Sequence, residues 1–148
     1  MTYEPSGEES LALRTLVAFR RADRVVRMRE GEAVRARGLT PAQFGVLETL
    51  YHGGPLRVGE VMERMLATPG NMTVVVRNMA RDGYIVRKAD PSDGRSCLLD
   101  LTEKGTKAFE EVWPEHLALV AEIFSVLDDT DKKDLIRILG RFEAEEAR

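Results

Sequence analysis

Apolar residues recur at a helical spacing along most of the chain. The run from residue 8 to about residue 37 predicts one long helix, which Gly38 ends. Three short periodic runs follow it, and two longer runs close the sequence. The helices predicted after the first one cover about residues 41–50, 58–65, 69–82, 103–127 and 128–147. The pattern therefore predicts a mainly α fold.

The predicted helix over residues 69–82 has one apolar and one polar side. Its apolar stripe recurs at i, i+3, i+4 and i+7 and consists of Met72, Val75, Val76 and Met79. The other side carries Gly70, Asn71, Thr73, Val74, Arg77, Asn78 and Arg81. Thr68 is a suitable N-cap and Gly83 a suitable stop. We expect this helix to bury its apolar side and to expose the other.

A β-hairpin is predicted directly after this helix. Residues 84–87 and 96–101 have strand patterning, and the charged residues 90–95 form the expected tip. A very short strand is expected at residues 56–57. A tight turn joins the two short helices that come before the hairpin. The segment over residues 39–102 is therefore predicted to be a winged helix-turn-helix with a small β wing.

The distribution of charge favours a nucleic-acid partner for this segment. The net charge of the 148 residues is −3, and a hydrophobic content of 43% fits one soluble globular domain over residues 1–148. Between Arg64 and Cys97, however, six positive and three negative residues give a net charge of +3. The segment suits double-stranded DNA, with the helix in the major groove and the hairpin beside it. Arginines on the first helix are interpreted as a solvated face.

The long helices are predicted to form a dimerisation part. Residues 8–38 and 103–147 carry more apolar surface than a small winged domain can cover. Pairing with a second copy would bury that surface, and two-fold homodimers are the commonest oligomers. We therefore expect a homodimer.

Several other classes of function are not expected. The sequence has no nucleophile–base pair and no catalytic constellation, so no enzyme activity and no cofactor are predicted. His52 and His116 have no suitably spaced companions for a metal site. The sequence shows no membrane span and no signal-peptide pattern, and it has one cysteine, so we expect a cytoplasmic protein. Cys97 is interpreted as a packing residue rather than a redox sensor.

The order and spacing of several motifs resemble the MarR family of bacterial transcription regulators. The motifs are Leu39-Thr40, Gln43-Phe44, Val46-Leu47, Asp82-Gly83-Tyr84-Ile85-Val86-Arg87, Asp90-Pro91-Ser92-Asp93-Gly94-Arg95 and Leu101-Thr102-Glu103-Lys104-Gly105. The resemblance implies a winged-helix homodimer that usually represses genes and releases DNA when a small phenolic or other ligand binds. Family members often carry further arginines where this chain has Ser92 and Gly94.

Ten residues are predicted to contact or support contact with DNA. The helix would present Thr68, Gly70, Asn71, Thr73, Val74 and Arg77 to the major groove. The hairpin would supply Arg87 and Lys88 to the backbone and Arg95 to the minor groove or a phosphate, with Asp93 orienting Arg95. The alternative for the helix residues is an ordinary solvated face.

A small-molecule effector is also expected from the resemblance. Its pocket would lie between the dimerisation helices and the winged part, with Phe19, Tyr51, His52 and Trp113 as candidate lining residues. The sequence thus predicts a sequence-specific, ligand-responsive repressor that binds a pseudo-palindromic operator as a homodimer. The alternative is a winged-helix module that mediates protein contacts without binding DNA.

Overall fold

Six α-helices and a three-stranded sheet make up the described part of the chain. The computed structural model describes residues 6–65 and 69–147. In chain order the elements are α1 (Gly7–Ala36), α2 (Pro41–Gly53), β1 (Leu56–Arg57), α3 (Val58–Met65), α4 (Pro69–Arg81), β2 (Ile85–Asp90), β3 (Asp93–Leu101), α5 (Glu103–Ile123), a 3-10 turn (Phe124–Val126) and α6 (Asp129–Glu146). No described helix is both long and apolar enough to cross a membrane. The predicted mainly α fold with a β wing is confirmed.

The chain divides into two compact units. One contains residues 31–116, and the other contains residues 1–30 and 117–148, so α1 and α5 each contribute to both. The first unit holds the helix-turn-helix and the sheet, and it extends beyond the predicted limits of 39 and 102. The units are described separately below.

The core of the 31–116 unit is built from the apolar stripes of its short helices. The α2 stripe begins at a capping box, where the Thr40 hydroxyl accepts from Gln43 N and the Gln43 side chain accepts from Thr40 N. The fully or nearly buried side chains are Val34, Leu39, Phe44, Val46, Leu47, Leu50, Leu56, Val61, Met72, Val76, Met79, Ile85, Leu99, Phe109 and Val112. Helices α1, α2, α3, α4 and α5 therefore all contribute to one hydrophobic core.

Two helices of this unit end in the same way. Gly38 and Gly83 have φ values of +77° and +82°, a conformation that glycine adopts without a Cβ penalty. After Gly83, Tyr84 N donates to Met79 O at 3.0 Å, and Gly83 N donates to Ala80 O at 3.2 Å. This Schellman pattern satisfies the last carbonyl groups of α4 and turns the chain into β2. The predicted stops at both glycines are confirmed.

The sheet has the order β1-β3-β2, and both pairings are antiparallel. The hairpin differs from its prediction because the turn contains only Pro91 and Ser92, and Asp90 and Asp93 are paired strand residues. The reason is a side-chain turn: the Asp90 carboxylate accepts from Ser92 N at 2.9 Å and from Ser92 Oγ at 2.7 Å. A turn closed by Asp90 needs fewer residues than the predicted six-residue tip.

The second unit consists of most of α1, the end of α5, the 3-10 turn and α6. The predicted extension of α5 to residue 127 is wrong, because the helix ends at Ile123. Leu127 has an extended backbone, and Asp128 then caps α6 by accepting from Asp131 N at 2.8 Å. Helical spacing alone did not reveal this break, because Phe124 and Leu127 stay in phase with the apolar stripe.

Gly105 gives a stability prediction. A Cβ on Gly105 would lie 2.0 Å from Tyr84 O, so Gly105→Ala forces the start of α5 away from β2. We expect this variant to lose roughly 3 kcal/mol of unfolding free energy, as overpacked sites do.

The matched control is Gly59→Ala in α3, because nothing lies within 4 Å of an added Cβ there. That variant should keep or gain stability, by up to about 1 kcal/mol, because alanine favours helix. Urea unfolding of both variants checks this, and equal stabilities would contradict the close approach at Gly105.

Candidate nucleic-acid interface

Helix α4 buries one side and exposes the other, as predicted. Met72, Val76 and Met79 are at most 2% exposed. The exposed residues of the helix are Asn71, Thr73, Val74, Arg77 and Arg81, while Asn78 is half-buried. Val74 is 43% exposed, so its methyl groups are also accessible on this side. The exposed side therefore offers amide, hydroxyl, methyl and guanidinium groups together.

Two of the residues predicted to contact DNA, Thr68 and Gly70, lie at or beside the start of the described part of α4. Thr68 lies outside the described residues. Gly70 belongs to the first turn of α4, which begins at Pro69. The assignment of both residues to the DNA surface stays a prediction.

The arginines of α4 differ in their electrostatic partners. Arg81 forms an ion pair with the adjacent Asp82 at 2.9 Å. Arg77 makes no ion pair within residues 6–65 and 69–147. Of these two side chains, Arg77 is therefore the one whose charge is available to an external anion.

The cations of the wing differ in the same way. Lys88 pairs with Asp100 across the β2–β3 ladder at 2.5 Å. The Arg87 guanidinium lies 3.9 Å from the Cys97 sulfur. Arg95 is exposed, and its side chain makes no ion pair in the part of the chain that the structure describes. Arg87 and Arg95 thus have available charges, whereas Lys88 is partly neutralised.

Arg95 lies in an irregular stretch of β3. The β2–β3 register passes from Ala89↔Cys97 to Asp90↔Asp93, so the pairing skips residues 94–96. Such a bulge changes the direction in which its side chains point. The Asp93 carboxylate accepts from Arg95 N at 3.0 Å and from Ser96 Oγ at 2.9 Å.

These hydrogen bonds define how Asp93 acts on Arg95. They lower the pKa of Asp93, the bond from the Arg95 backbone being the main cause and that from Ser96 the next. Asp93 was predicted to orient Arg95, and the bond that joins them runs from the Arg95 backbone N–H to the Asp93 carboxylate, not from the guanidinium. The Arg95 guanidinium remains unpaired, and Asp93 shapes the bulge that carries it.

Arg57 is a residue of this surface that the sequence did not reveal. Its guanidinium forms an ion pair with Asp90, with Nη2 at 2.6 Å and Nε at 2.8 Å from Oδ2. Asp90 is only 6% exposed. Hydrogen bonds from Ser92, followed by the bond from Arg57, lower the pKa of Asp90 to about 2. Asp90 therefore stays ionised at neutral pH, and its stabilising bonds are lost only as the pH falls from its ordinary range towards 2. Residues 57 and 90 are far apart in sequence, and no local pattern indicates their contact.

Three of the four candidate effector residues lie together in the 31–116 unit. Tyr51, His52 and Trp113 surround Phe109, with ring centroids 4.4, 5.7 and 5.0 Å from its ring. Phe19 belongs to the other unit and is 52% exposed. The cluster also includes three residues that were not predicted for it, Phe44, Phe109 and His116, and the His116 ring lies 4.8 Å from that of Phe44. His116 is 9% exposed, and its buried Nδ1 has no hydrogen-bond partner among the described residues.

The remaining candidate chemistry is limited. Cys97 is half-buried on β3, opposite Ala89. Within residues 6–65 and 69–147, no group of three or more histidine, cysteine, aspartate or glutamate side chains could hold a metal ion.

Comparison with known proteins places these features in a family. The model of the MarR family matches residues 37–96, which contain α2, the helix-turn-helix and most of the wing. Two similar proteins come from Bacillus subtilis. The helix-turn-helix-type transcriptional regulator YkoM is 33% identical over 134 residues, which are 90% of this chain and 87% of YkoM. The transcriptional repressor MdtR is 34% identical over 110 residues, which are 74% of this chain and 71% of MdtR.

A solved structure agrees in fold. Sco3205 of Streptomyces coelicolor, a MarR family regulator crystallised with DNA, superposes with a TM-score of 0.80 at 23% identity, covering 99% of this chain and 91% of that one. YkoM matches 90% of the chain, the family model matches the winged segment, and the solved structure has the same fold. The chain belongs to the MarR family of winged helix-turn-helix, DNA-binding transcriptional regulators.

Proposed function

We propose that the protein is a ligand-responsive repressor that binds a pseudo-palindromic operator as a homodimer in the cytoplasm. DNA binding is supported above all by the exposed side of α4 and by the wing that follows it. Among the described residues, Arg77 on α4 and Arg95 on the wing make no ion pair. Both belong to the 31–116 unit. The function as a repressor is supported by similarity to MdtR, which is named a transcriptional repressor.

The side chains of α4 suit base recognition in the major groove. The Asn71 amide can form two hydrogen bonds with adenine, and the Arg77 guanidinium can donate two to guanine or bind a phosphate. The Thr73 and Val74 methyl groups can contact a thymine methyl, so the exposed Val74 side chain would be covered by DNA. Thr68 and Gly70 are proposed to lie at or near the major groove, where Gly70 would let the protein backbone come close to DNA.

The wing suits contact with the DNA backbone and minor groove. Arg95 is proposed to enter the minor groove or to bind a phosphate beside it. Arg87 and Lys88 would contact the sugar-phosphate backbone, although Lys88 must then share its charge with Asp100. Asp93 would support Arg95 without touching DNA.

The homodimer is supported by exposed apolar residues. Thirteen of the sixteen large apolar side chains exposed in the described part of the chain belong to the unit of residues 1–30 and 117–148. They are Leu11, Leu13, Leu16, Val17, Phe19, Val25, Met28, Leu117, Val126, Leu135, Ile136, Ile138 and Phe142. A monomer rarely leaves so much apolar surface in water, and a second copy would cover it. Two α4 helices would then lie about one DNA turn apart, roughly 34–36 Å.

The effector is proposed to be a small aromatic molecule. The cluster around Phe109 offers ring faces for stacking, and His116 offers a buried nitrogen without a partner. Tyr51, His52 and Trp113 are the residues of this unit that we propose to respond to it, with Phe19 as a candidate from α1. Binding there would change the population of DNA-competent dimers.

A protein-interaction module without DNA binding is the second candidate. The observation that favours it is the pairing of Arg57, Arg81 and Lys88 with carboxylates, which leaves few available cations on this face. A titration with DNA separates the two functions.

Replacing Arg77 or Arg95 tests the DNA contacts. In a fluorescence-anisotropy titration with the DNA upstream of the protein's own gene, each alanine variant should bind roughly tenfold or more weakly, because a lost bidentate or phosphate contact costs about 1–3 kcal/mol. Loss of a phosphate contact should also reduce the slope of log K against log salt by about 1.

The control for these variants is Lys107→Ala on α5, which removes one positive charge at a side chain paired with Glu111. Its affinity should stay near that of the natural protein. Absent binding, or binding that does not depend on salt, would favour the protein-interaction module.

Replacing two apolar residues of α6 tests the dimer. Ile138 and Phe142 are 44% and 72% exposed, so Ile138→Glu with Phe142→Glu should not disturb the fold of a single chain. In a dimer these side chains would be buried, and two carboxylates there would shift the protein to monomers. Analytical ultracentrifugation measures the change.

The control is Val86→Glu, the same kind of change on the exposed side of β2. It should leave the dimer intact. A natural protein that sediments as a monomer, or an α6 variant that still sediments as a dimer, would contradict the proposed arrangement.

Trp113 provides a direct probe of the effector site. It is the only tryptophan of the chain, so its fluorescence reports on the aromatic cluster alone. Titration with salicylate and other simple phenols should quench this fluorescence in a saturable way and release DNA over the same concentrations. The His52→Ala variant should need more ligand for both effects, and quenching without release would argue against this site as the effector site.

A further inference from the structure

The outer part of the wing has little to hold it in place. β1 pairs only with Leu98 and Leu99 of β3, so the residues nearer the tip pair only between β2 and β3. The four β2 residues at positions 86–89 are all exposed, and β3 residues 93–97 are at most half-buried, so little hydrophobic packing holds the outer part of this ribbon. A two-stranded ribbon of this kind is marginally stable by itself. Its direction must therefore be fixed by something other than hydrophobic packing.

One ion pair joins the tip to the rest of the unit. Arg57 lies on β1 and Asp90 at the end of β2, on opposite sides of the central strand β3. The Arg57 side chain reaches across to Asp90, with Nη2 2.6 Å from Oδ2, and its Nη2 also lies 3.4 Å from Ser92 Oγ. The other Asp90 oxygen accepts from Ser92 N and Oγ. Both carboxylate oxygens are thus used, and Ser92 of the turn is tied to β1 through Asp90 and Arg57.

The same arginine is connected to the helix-turn-helix. Arg57 directly precedes α3, and its backbone N–H donates to Glu60 Oε2 at 2.8 Å. Its main chain is therefore fixed at the start of α3 while its guanidinium holds the wing tip. Arg57 therefore links the orientation of the wing to the position of α3.

We infer that Arg57 is a positioning residue for DNA binding, which acts through Asp90 to hold the wing tip and thereby to direct Arg95. The inference rests on the proposed contact of Arg95 with DNA. Arg57 and Asp90 together are called the wing brace. Without the brace the ribbon samples many directions, and DNA binding must then select one of them, which lowers affinity.

When Asp90 is replaced, loss of its negative charge and loss of the brace predict opposite changes in DNA affinity. Removing a carboxylate from a surface that approaches phosphates should tighten DNA binding if charge alone matters. If the brace positions Arg95, the same change should weaken binding. Asp90→Ala therefore separates the two explanations by the sign of its effect.

The experiment is a double-mutant cycle on DNA affinity at fixed salt. We expect Arg57→Ala and Asp90→Ala each to weaken binding roughly five- to tenfold, and the double variant to bind no worse than either single variant, because all three lose the same brace. The controls are Lys107→Ala and Glu111→Gln, which make equal changes of charge in an ion pair on α5. Both controls should bind within about twofold of the natural protein.

Hydrogen exchange provides a readout that a contact between Arg57 and DNA would not change. In protein without DNA, the backbone amides of residues 92–96 should exchange faster in Arg57→Ala, while those of α4 should stay as protected as before. If Asp90→Ala fails to fold, Arg57→Gln measured in both assays takes its place.

Several results would overturn the brace. They are tighter binding by Asp90→Ala, additive losses in the double variant, or unchanged exchange at the tip of Arg57→Ala. Arg95→Ala separates this inference from the function on which it rests. If Arg95→Ala binds DNA normally, the proposed wing contact itself fails; if it binds weakly while both brace variants bind normally, only the brace fails.

Discussion

The division of α4 into two sides is the constraint on which the rest of the structure depends. Met72, Val76 and Met79 must be buried to hold the helix against the core, and this fixes which residues face away from the protein. A helix that is tightly packed on one side is rigid enough to present Asn71, Thr73 and Arg77 in a constant geometry. Stability and recognition therefore use the same thirteen residues in two different ways.

The elements around α4 keep this geometry by hydrogen bonding as well as by packing. The Schellman turn at Gly83 ends the helix and starts β2 within three residues. Thr102 then ties the end of the hairpin back to this turn, because its hydroxyl donates to Gly83 O and accepts from Gly105 N. Helix α4, the base of the wing and the start of α5 are thus joined at one place.

The sequence predicted those features that depend on local spacing. The glycine stops and the apolar stripe of α4 each arise within one or two helical turns. The stops were correct, and of the stripe Met72, Val76 and Met79 are buried while Val75 is half-buried. The errors arose where distant residues compete with the local pattern. The end of α5 at Ile123 breaks an apolar stripe that remains in phase beyond it. The two-residue hairpin turn is closed by Asp90, whose second partner is Arg57 on another strand.

The pairing of cations on the winged unit has a consequence for how the protein searches a genome. Arg57, Arg81 and Lys88 already have carboxylate partners, so only part of the local positive charge can replace counterions along arbitrary DNA. The affinity of a protein for DNA of random sequence rises with the number of counterions that it replaces. Its discrimination among DNA sites comes from contacts with base edges. A protein with few uncommitted charges spends less time bound to the wrong sites. With the proposed contacts of α4, its occupancy of an operator would be set more by hydrogen bonds to bases than by the total charge of the surface.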